Sequence, residues 1–266
     1  MIQDILSVLP GDHPWQNVLH FYETLPSTND LAKKMASEGA PAGTLILARQ
    51  QTAGRGRLGR SFYAPAGLGL YISVILRPQC LPEQLMHLTC AAAVAACNGV
   101  EAASQLRPQI KWTNDLVVQG KKLGGILTEL SVNAKTGCVE WAVIGIGINC
   151  LHRREDFPEE LQTMTTSLLQ LTGDSIAPGL LAGHIINSLL AMDHALLTEK
   201  SAIMDTYRAD CMTVGQVVVL LRGDTRRYGK ALGITDQGGL QVAFTDGAVE
   251  TVDSGEISVR GLYGYA

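Results

Sequence analysis

The order of apolar and polar positions predicts alternating strands and helices along most of the chain. Short apolar runs between turn residues indicate strands, and apolar positions three or four residues apart indicate helices. The predicted elements, in order, are a strand over 18–22, a helix from Ser27 to near Gly39, strands over 44–48 and 69–76, a helix over 85–100, strands within 109–130 and over 141–150, and helices over 167–171 and 179–210. Strands and helices are therefore mixed throughout this part of the chain.

The pattern changes after residue 212. Beyond it, short apolar segments alternate with turn residues at Gly223-Asp224, at 236–239 and at Asp246-Gly247. This spacing predicts a small antiparallel barrel of about 50 residues. We therefore expect one domain over 1–212 and a second, smaller domain over 213–266.

Composition limits the class of protein. The chain has 266 residues, of which 46% are hydrophobic and 17% are charged, as expected of a globular protein with a large core. Its longest apolar runs, 68–76 and 88–97, are too short to cross a bilayer, and no signal-peptide pattern opens it. We expect a soluble, cytoplasmic protein that makes no membrane contact.

Cysteine and histidine spacing indicates no metal site. The six cysteines contain no Cys-x-x-Cys pair, and the six histidines show no ligand spacing with them. We therefore expect buried free thiols, and we assign no metal ligands.

Glycine and arginine are concentrated in one segment, Gly54-Arg55-Gly56-Arg57-Leu58-Gly59-Arg60. Glycine lets the backbone approach a ligand closely, and arginine binds anions. The whole chain has a net charge of −4, yet residues 39–82 contain five arginines and no Asp or Glu. This separation of charge predicts a site for a phosphate or carboxylate, and a solvated surface loop is the alternative. The acidic balance of the whole chain argues against general binding to nucleic acid.

The same segment matches the Gly-x-Gly-x-x-Gly pattern of dinucleotide-binding folds. That pattern requires a helix directly after the glycines and an acidic residue about 20 positions later. Here the segment continues into turn residues over 61–69, and the next acidic residue is Glu83. We therefore reject the dinucleotide-binding interpretation.

Two later segments place polar residues at predicted strand ends. Turns are predicted at Asn114-Asp115 and Gln119-Gly120, and the second turn places Lys122 near a strand start, as a point charge for an anion. The apolar strand over 141–150 contains two glycines, which permit close approach of a backbone or a flat ligand, and Asn149 is its polar end. For Lys122 the alternative is an ordinary surface lysine, and for the strand over 141–150 it is a tightly packed core strand.

Several of these motifs follow one another in a specific order. They are Ser27-Thr28-Asn29, Gln51, Gly54-Arg55-Gly56-Arg57 with Arg60, Lys111-Trp112 with Asn114-Asp115, Lys122 with Gly125, and Gly145-Ile146-Gly147-Ile148-Asn149. Their order and spacing resemble the biotin protein ligases over about residues 15–171, and more weakly in the C-terminal barrel. The resemblance implies an α+β fold, in which a mixed-sheet catalytic domain of the biotin/lipoate ligase type (class II synthetase-like) is followed by a small SH3-like β-barrel.

The resemblance also implies a two-step reaction. The biotin carboxylate attacks the α-phosphate of ATP to give biotinyl-5′-AMP and pyrophosphate, and a specific lysine then takes the biotinyl group. The implied partners are biotin, ATP with Mg²⁺, and the biotin carboxyl carrier domain of a carboxylase, and the expected assembly is a monomer or a weak homodimer. Arginine and lysine suit this chemistry because two anionic reactants must meet and a developing charge must be stabilised.

The resemblance assigns roles to individual residues. Catalysis is assigned to Lys122, Arg57, Lys111 and Asp115, biotin binding to Ser27, Thr28, Asn29, Gln51, Arg55, Gly56, Arg57, Lys122 and Gly125, and ATP binding to Arg57, Arg60, Phe62, Trp112, Asn114, Gly147 and Asn149. For Asp115 two functions stay open, the orientation of Mg²⁺ and the orientation of a lysine.

Two departures from the family pattern are visible. Thr113 stands where members usually have proline, so we expect a looser turn before Asn114 without loss of a chemical group. The N-terminal DNA-binding domain of the regulatory members is missing, so we expect neither DNA binding nor repression. The competing functions are a lipoate-attaching ligase, which shares the fold class and the acyl-adenylate chemistry, and a non-catalytic biotin sensor, which would not need Lys122 and Arg60.

Overall fold

A computed structural model describes residues 1–222, 225–253 and 258–261, with residue 222 and residues 258–261 described by backbone only. The helices are α1 (Ile2–Val8), α2 (Thr28–Ser37), α3 (Leu88–Ser104), α4 (Leu168–Thr172), α5 (Pro178–Ala195) and α6 (Lys200–Asp210). The strands are β1 (Leu19–Leu25), β2 (Leu45–Gln51), β3 (Gly69–Leu76), β4 (Gln109–Lys111), β5 (Asp115–Val118), β6 (Lys121–Val132), β7 (Val139–Asn149), β8 (Val217–Arg222), β9 (Thr225–Ile234), β10 (Leu240–Phe244), β11 (Val249–Val252) and β12 (Ser258–Gly261). The predicted turn at Gly223-Asp224 lies outside the described residues.

Strands β1 to β7 form one mixed sheet in the order β1-β2-β3-β7-β6-β5-β4. β1 and β2 are parallel, since α2 crosses between them, and the other neighbouring strands are antiparallel. Ser27 caps α2, because its side chain accepts a hydrogen bond from the Asp30 backbone N–H. The prediction of an α+β fold on a mixed sheet is confirmed.

The sheet separates two apolar layers of unequal size. Helices α3 and α5 cover the face with the larger core, and α2 covers the other face through a small cluster that includes Ala32, Ala36, Ile75 and Val143. Helix α3 belongs to Pro82–Ser104, the one stretch among the described residues that is helical, long and apolar enough to cross a membrane. Because 72% of its most apolar window is buried inside the protein, it is the core helix of this fold.

The single helix predicted over 179–210 is wrong. The structure has two helices, α5 and α6, separated by a turn at 196–199. In this turn the Leu196 carbonyl oxygen accepts a hydrogen bond from His87 Nε2 at 3.0 Å. Because His87 belongs to a distant part of the chain, the local spacing of apolar residues could not indicate the interruption.

Helix α1, which the sequence pattern did not indicate, packs against α5. Ile5 is fully buried, and Gly183 of α5 permits close approach, because a Cβ there would lie 2.6 Å from the Val8 Cβ. The segment before β1 is therefore part of the main core.

The cysteines are free thiols, as the sequence predicted. Five of the six are buried, and Cys138 is half-buried. Burial raises the pKa of the Cys90 and Cys150 thiols to about 12, so both stay protonated near neutral pH.

Strands β8 to β12 form a separate antiparallel sheet in the order β11-β10-β9-β8-β12. The predicted turns at 236–239 and Asp246-Gly247 connect its strands, and Gly238 and Gly247 have φ values of 85° and 90° there. The prediction of a small antiparallel C-terminal fold is confirmed, and the arrangement is consistent with an SH3-like barrel. Contacts of this part with the rest of the protein include the bond from Trp112 Nε1 to the Gly238 carbonyl, at 2.8 Å, and the bond from Arg208 Nε to the Ile234 carbonyl, at 3.0 Å.

Candidate active site

A cavity of about 240 Å³ opens on the α2 side of the large sheet. Its walls come from the start of α2, the end of β2, strands β4 to β7, and residues 54–60, here named the Gly/Arg loop. The predicted site residues that line it are Ser27, Thr28, Asn29, Gln51, Arg55, Gly56, Arg57, Arg60, Phe62, Lys111, Trp112, Asn114, Asp115, Lys122, Gly125 and Gly147. The fold therefore brings residues from distant stretches of sequence to one place.

Asn149 is the one predicted site residue that lies outside this lining. Its side chain is 4% exposed, and Nδ2 donates to the Thr166 carbonyl at 3.0 Å. Asn149 thus ties the end of β7 to the segment before α4.

Two neighbouring rows of residues across the sheet lie under the cavity and supply its floor. One row contains Lys111, Asp115, Gly125, Gly147 and Tyr71, and the other contains Leu127, Gly145 and Ser73. The rows are two residues apart along each strand, which corresponds to about 6.6 Å, and their side chains point to the same face. Strand register alone therefore places Lys111 opposite Asp115 and both beside two glycines.

Two glycines of β7 keep this floor flat. A Cβ on Gly145 would lie 1.9 Å from Asn29 Oδ1, and a Cβ on Gly147 would lie 2.8 Å from the Phe62 ring. A side chain at either position would displace a residue of the cavity wall, so the glycines serve close approach rather than a turn.

One end of the cavity, here named the amide end, is formed by Ser27, Thr28, Asn29 and Gln51. The Thr28 backbone N–H and hydroxyl both donate to Gln51 Oε1, at 2.8 and 3.1 Å. The Gln51 oxygen is thereby occupied, so the donor N–H groups of its amide are what this side chain offers to a ligand.

Behind the amide end lies a network that sequence reasoning missed. Ser73 Oγ lies 2.9 Å from Thr28 Oγ1 and 2.7 Å from Asn29 Oδ1, and Asn29 Nδ2 donates to Glu129 Oε2 at 3.0 Å. Lys33 Nζ lies 2.6 Å from Glu129 Oε1. Burial opposes the charge on Lys33, but bonds to Glu129 and Asp30 outweigh it and raise the Lys33 pKa. The available signal was Ser73, a small polar residue among the apolar residues of the buried strand β3.

The opposite end, here named the cationic end, contains Arg57, Lys111, Lys122 and Asp115. Lys122 Nζ lies 2.5 Å from Asp115 Oδ1, and both side chains are partly buried, at 28% and 21% exposure. The Lys122 backbone N–H donates to the Met164 carbonyl at 2.8 Å, which fixes the start of β6. Of the two functions left open for Asp115, the structure contains the contact required to orient a lysine.

Arg57 extends from the Gly/Arg loop to the turn between β4 and β5. Its Nη1 donates to Thr113 Oγ1 at 2.6 Å and to Asn114 Oδ1 at 3.1 Å. Burial lowers the Arg57 pKa, although the nearby Asp115 carboxylate opposes this effect. Thr113, where a looser turn before Asn114 was predicted, is 2% exposed and accepts the hydrogen bond from Arg57, so no chemical group is lost there and the looseness of the turn stays a prediction.

The Gly/Arg loop is closed on itself and is not followed by a helix. The Gly56 N–H donates to the Arg60 carbonyl at 2.7 Å, and the Phe62 N–H donates to the Gly54 carbonyl at 2.9 Å. Leu58 has a left-handed conformation, with φ 56° and ψ 35°. An irregular segment with a turn at 66–68 then leads into β3, which agrees with the rejection of a dinucleotide-binding fold.

Arg55 has a different partner from Arg57. Its Nε lies 2.9 Å from Asp30 Oδ2 on α2, and both side chains of this pair are largely exposed, at 55% and 36%. The charge of Arg55 is therefore compensated by a carboxylate, whereas Arg57 donates hydrogen bonds to two neutral oxygens, Thr113 Oγ1 and Asn114 Oδ1.

The two ends of the cavity favour a ligand with two different parts. The amide end offers fixed neutral donors and acceptors, and the cationic end offers positive charge. Among the described residues, no group of three His, Cys, Asp or Glu side chains is arranged to hold a metal ion. The arrangement suits reactions of phosphates or carboxylates in which charge must be stabilised.

Two family models match the chain. Residues 21–149 match the Biotin/lipoate A/B protein ligase family, and residues 213–260 match the Biotin protein ligase C terminal domain. The first match spans every predicted lining residue from Ser27 to Gly147.

Individual relatives agree with these models. The chain is 36% identical over 242 residues to the bifunctional ligase/repressor BirA of Bacillus spizizenii, with 91% of this chain and 74% of that protein covered. It is 31% identical over 231 residues to the biotin--[acetyl-CoA-carboxylase] ligase of Mycobacterium tuberculosis, with 85% and 83% covered. A solved structure of the biotin protein ligase from Aquifex aeolicus in complex with biotin and ATP has a TM-score of 0.76 and 27% identity, and covers 91% of this chain and 98% of that one. The chain belongs to the biotin protein ligase family.

Proposed function

We propose that this protein activates biotin with ATP to biotinyl-5′-AMP and pyrophosphate, and then transfers the biotinyl group to a specific lysine of a biotin carboxyl carrier protein. The observation that supports this function most directly is a single cavity that joins a neutral hydrogen-bonding end to a cationic end. Biotin has the same two parts, because an uncharged ureido ring is joined through an aliphatic chain to a carboxylate. The phosphates of ATP supply the second anionic group.

In the first step a carboxylate oxygen of biotin attacks the α-phosphorus of ATP. A P–O bond forms, the bond to the β-phosphate oxygen breaks, and pyrophosphate leaves with the electron pair. Lys122 and Arg57 stabilise the negative charge that develops on the α-phosphate oxygens. Both cations are held before the reaction, Lys122 by Asp115 at 2.5 Å and Arg57 by Thr113 at 2.6 Å. Donors positioned in advance lower the barrier because they need no reorganisation during the step.

In the second step the acceptor lysine attacks the acyl carbon of the adenylate. The new amide bond forms, AMP leaves with the electron pair of the C–O bond, and the nitrogen loses a proton. The cationic end favours the neutral, nucleophilic form of an approaching lysine, because like charges lower the pKa of an ammonium group.

The lining residues fit an ATP-bound Mg²⁺ in one respect. Asp115 is the one carboxylate among the described lining residues. Mg²⁺ in nucleotide sites is held by one or two carboxylates together with phosphates and waters. Asp115 would therefore be the protein ligand for an ion that neutralises phosphate charge.

We also propose that the protein is a cytoplasmic monomer or weak homodimer that acts on the carrier domain of a carboxylase and does not bind DNA. A net charge of −4 opposes association with the phosphate backbone. Within the fold, residues 1–212 would perform the chemistry and residues 213–266 would support it, and the bond from Trp112 to Gly238 connects the two parts.

The test is biotin-dependent exchange of labelled pyrophosphate into ATP, measured with the full chain, Mg²⁺ and no carrier. We expect exchange with biotin and none with lipoate. Exchange with lipoate alone would indicate a lipoate ligase, and biotin binding without exchange would indicate a sensor. A carrier domain and its variant with the acceptor lysine changed to arginine then test the transfer step, which we expect only with the lysine.

A further inference from the structure

Thr113 lies where the Gly/Arg loop meets the rest of the cavity. On the basis of the proposed function, we propose that its hydroxyl positions the Arg57 guanidinium for contact with the anionic biotinyl-adenylate. The bond from Arg57 Nη1 to Thr113 Oγ1 is 2.6 Å long and joins residues 56 positions apart in the chain. Thr113 is thus a positioning residue that acts through Arg57.

The backbone that carries the Thr113 hydroxyl is held in place by hydrogen bonds to buried side chains. Thr113 is 2% exposed, and its carbonyl oxygen accepts a hydrogen bond from Tyr207 Oη at 3.0 Å. Tyr207 lies on α6 and is fully buried. The preceding residue is also tied down, since the Trp112 N–H donates to Thr213 Oγ1 at 2.9 Å. The acceptor for Arg57 therefore moves only with the core of the protein.

The hydrogen bonds that hold Arg57 are made to neutral acceptors, and the carboxylate near it, Asp115, is paired with Lys122. Arg55 in the same loop is paired with the Asp30 carboxylate, so an incoming anion must compete with another anion for that guanidinium. At Arg57 the acceptors are a hydroxyl and an amide oxygen, and the partly buried guanidinium retains its attraction for a phosphate. Because screening by water is weaker at partly buried positions, that attraction is stronger than it would be at the surface.

The geometry of the guanidinium points to the same role. The bonds to Thr113 and Asn114 both use Nη1, one of three guanidinium nitrogens. Nε and Nη2 form the adjacent edge of the planar group, which is suited to a bidentate contact with an oxyanion. A hydroxyl that fixes Nη1 therefore also fixes the direction in which that edge faces.

Two substitutions separate the hydroxyl from the shape of Thr113. Thr113→Val keeps the branched shape and removes the acceptor, whereas Thr113→Ser keeps the hydroxyl and removes a methyl group. Asn114 remains as a second acceptor in both variants, so the arginine is not left without a partner.

The first measurement uses the empty full-length protein and needs no activity. Limited trypsin digestion is followed by mass spectrometry, and cleavage after Arg57 is compared with cleavage after Arg55 in the same sample. Thr113→Val loses one hydrogen bond to a charged group, so the ratio of cleavage after Arg57 to cleavage after Arg55 should rise about tenfold. In Thr113→Ser the same ratio should stay within about twofold of the unsubstituted protein.

The second measurement follows the reaction. Single-turnover formation of biotinyl-5′-AMP gives the chemical rate, and filtration of the preformed complex gives the rate at which the adenylate leaves. We expect Thr113→Val to release the adenylate about tenfold faster while its biotin KM changes less than twofold, and we expect Thr113→Ser to retain it.

The outcomes separate the inference from the proposed function. If the valine variant matches the unsubstituted protein in both measurements, or if only the serine variant is impaired, the hydroxyl does not position Arg57. If the unsubstituted protein shows no biotin-dependent pyrophosphate exchange, the proposed function fails, and the digestion still decides whether Thr113 holds Arg57.

Discussion

The amide end and the cationic end of the cavity are organised in opposite ways. At the amide end, Thr28, Asn29 and Ser73 bond to one another and to neighbours within 3.1 Å, so their polar atoms are mostly satisfied before a ligand arrives. Five cationic residues line the cavity, and three of them, Arg57, Lys111 and Lys122, lie at the cationic end beside the single lining carboxylate, Asp115. The polar groups of the amide end are thus paired with one another, whereas the cationic end has more positive than negative charge.

This difference indicates how the two ends contribute to the reaction. A satisfied network recognises a neutral group by geometry and binds it equally well in the ground state and the transition state. Excess charge acts most strongly when negative charge accumulates on the phosphate. Changes at the amide end should therefore alter KM, whereas changes at the cationic end should alter the chemical rate.

The largest effect is expected for Lys122→Ala. Removing the amine that we propose contacts the α-phosphate should slow adenylation by on the order of 100-fold or more, with biotin affinity changed only a few-fold. Single-turnover adenylation and calorimetric binding of biotin measure the two quantities. Lys121→Ala is the matched control, since Lys121 is the exposed neighbour on β6. Near-normal adenylation in Lys122→Ala would assign the role to a different cation.

A change at the amide end should have the opposite signature. In Gly145→Ala the new Cβ would lie 1.9 Å from Asn29 Oδ1, so the network must shift. We expect the biotin KM to rise by about tenfold, the cost of a lost buried hydrogen bond, while the rate at saturating biotin stays within about threefold. Gly11→Ala is the control, because no atom lies within 4 Å of a Cβ there. A fall in rate without a change in KM would contradict the division between the ends.

Lowering the pH should reduce the stability of the fold before it affects the amide end or the cationic end of the cavity. His152 is fully buried and its ring stacks on Phe157 with centroids 4.6 Å apart. Burial lowers its pKa to about 4, whereas an unfolded chain protonates histidine near pH 6.5. The unfolded state therefore binds more protons between these values, and stability falls as the pH is lowered through them.

From pH 6.5 to 5.5 this linkage amounts to about 1 kcal/mol. Urea unfolding at several pH values measures it, and we expect His152→Phe to weaken the pH dependence by that amount. His194→Gln, at an exposed position on α5, is the control and should leave it unchanged. An identical slope in His152→Phe and the unsubstituted protein would contradict the prediction.

The smallest effect is expected for Asp30→Asn, which removes the carboxylate partner of Arg55. The pair is largely exposed, and such pairs contribute little. Freed positive charge should lower the KM for ATP by no more than about threefold, measured by initial rates at low salt. Glu38→Gln, in an exposed pair with Lys34 at the C-terminal end of α2, is the control. A rise in the KM would show that Asp30 orients Arg55 rather than masking its charge.

Most regular elements could be predicted from the sequence because their signals are local. Ser27 caps α2, Gln119 and Gly120 form a turn with φ values of 51° and 74°, and uninterrupted apolar residues form β3. Each signal depends on residues a few positions apart. The break between α5 and α6 was missed because it involves His87, which is 109 residues from Leu196.

The sequence by itself determined which chemical groups are available and on which loops and strand ends they lie. Only the tertiary structure decided their partners: Ser73 with Asn29, 44 positions away, Asn29 with Glu129, 100 positions away, and Arg57 with Thr113. It also placed Asn149 outside the cavity, although its motif neighbour Gly147 lines it. The physical reason is that strand register and helix packing, which depend on the whole core, decide which distant side chains come within hydrogen-bonding distance.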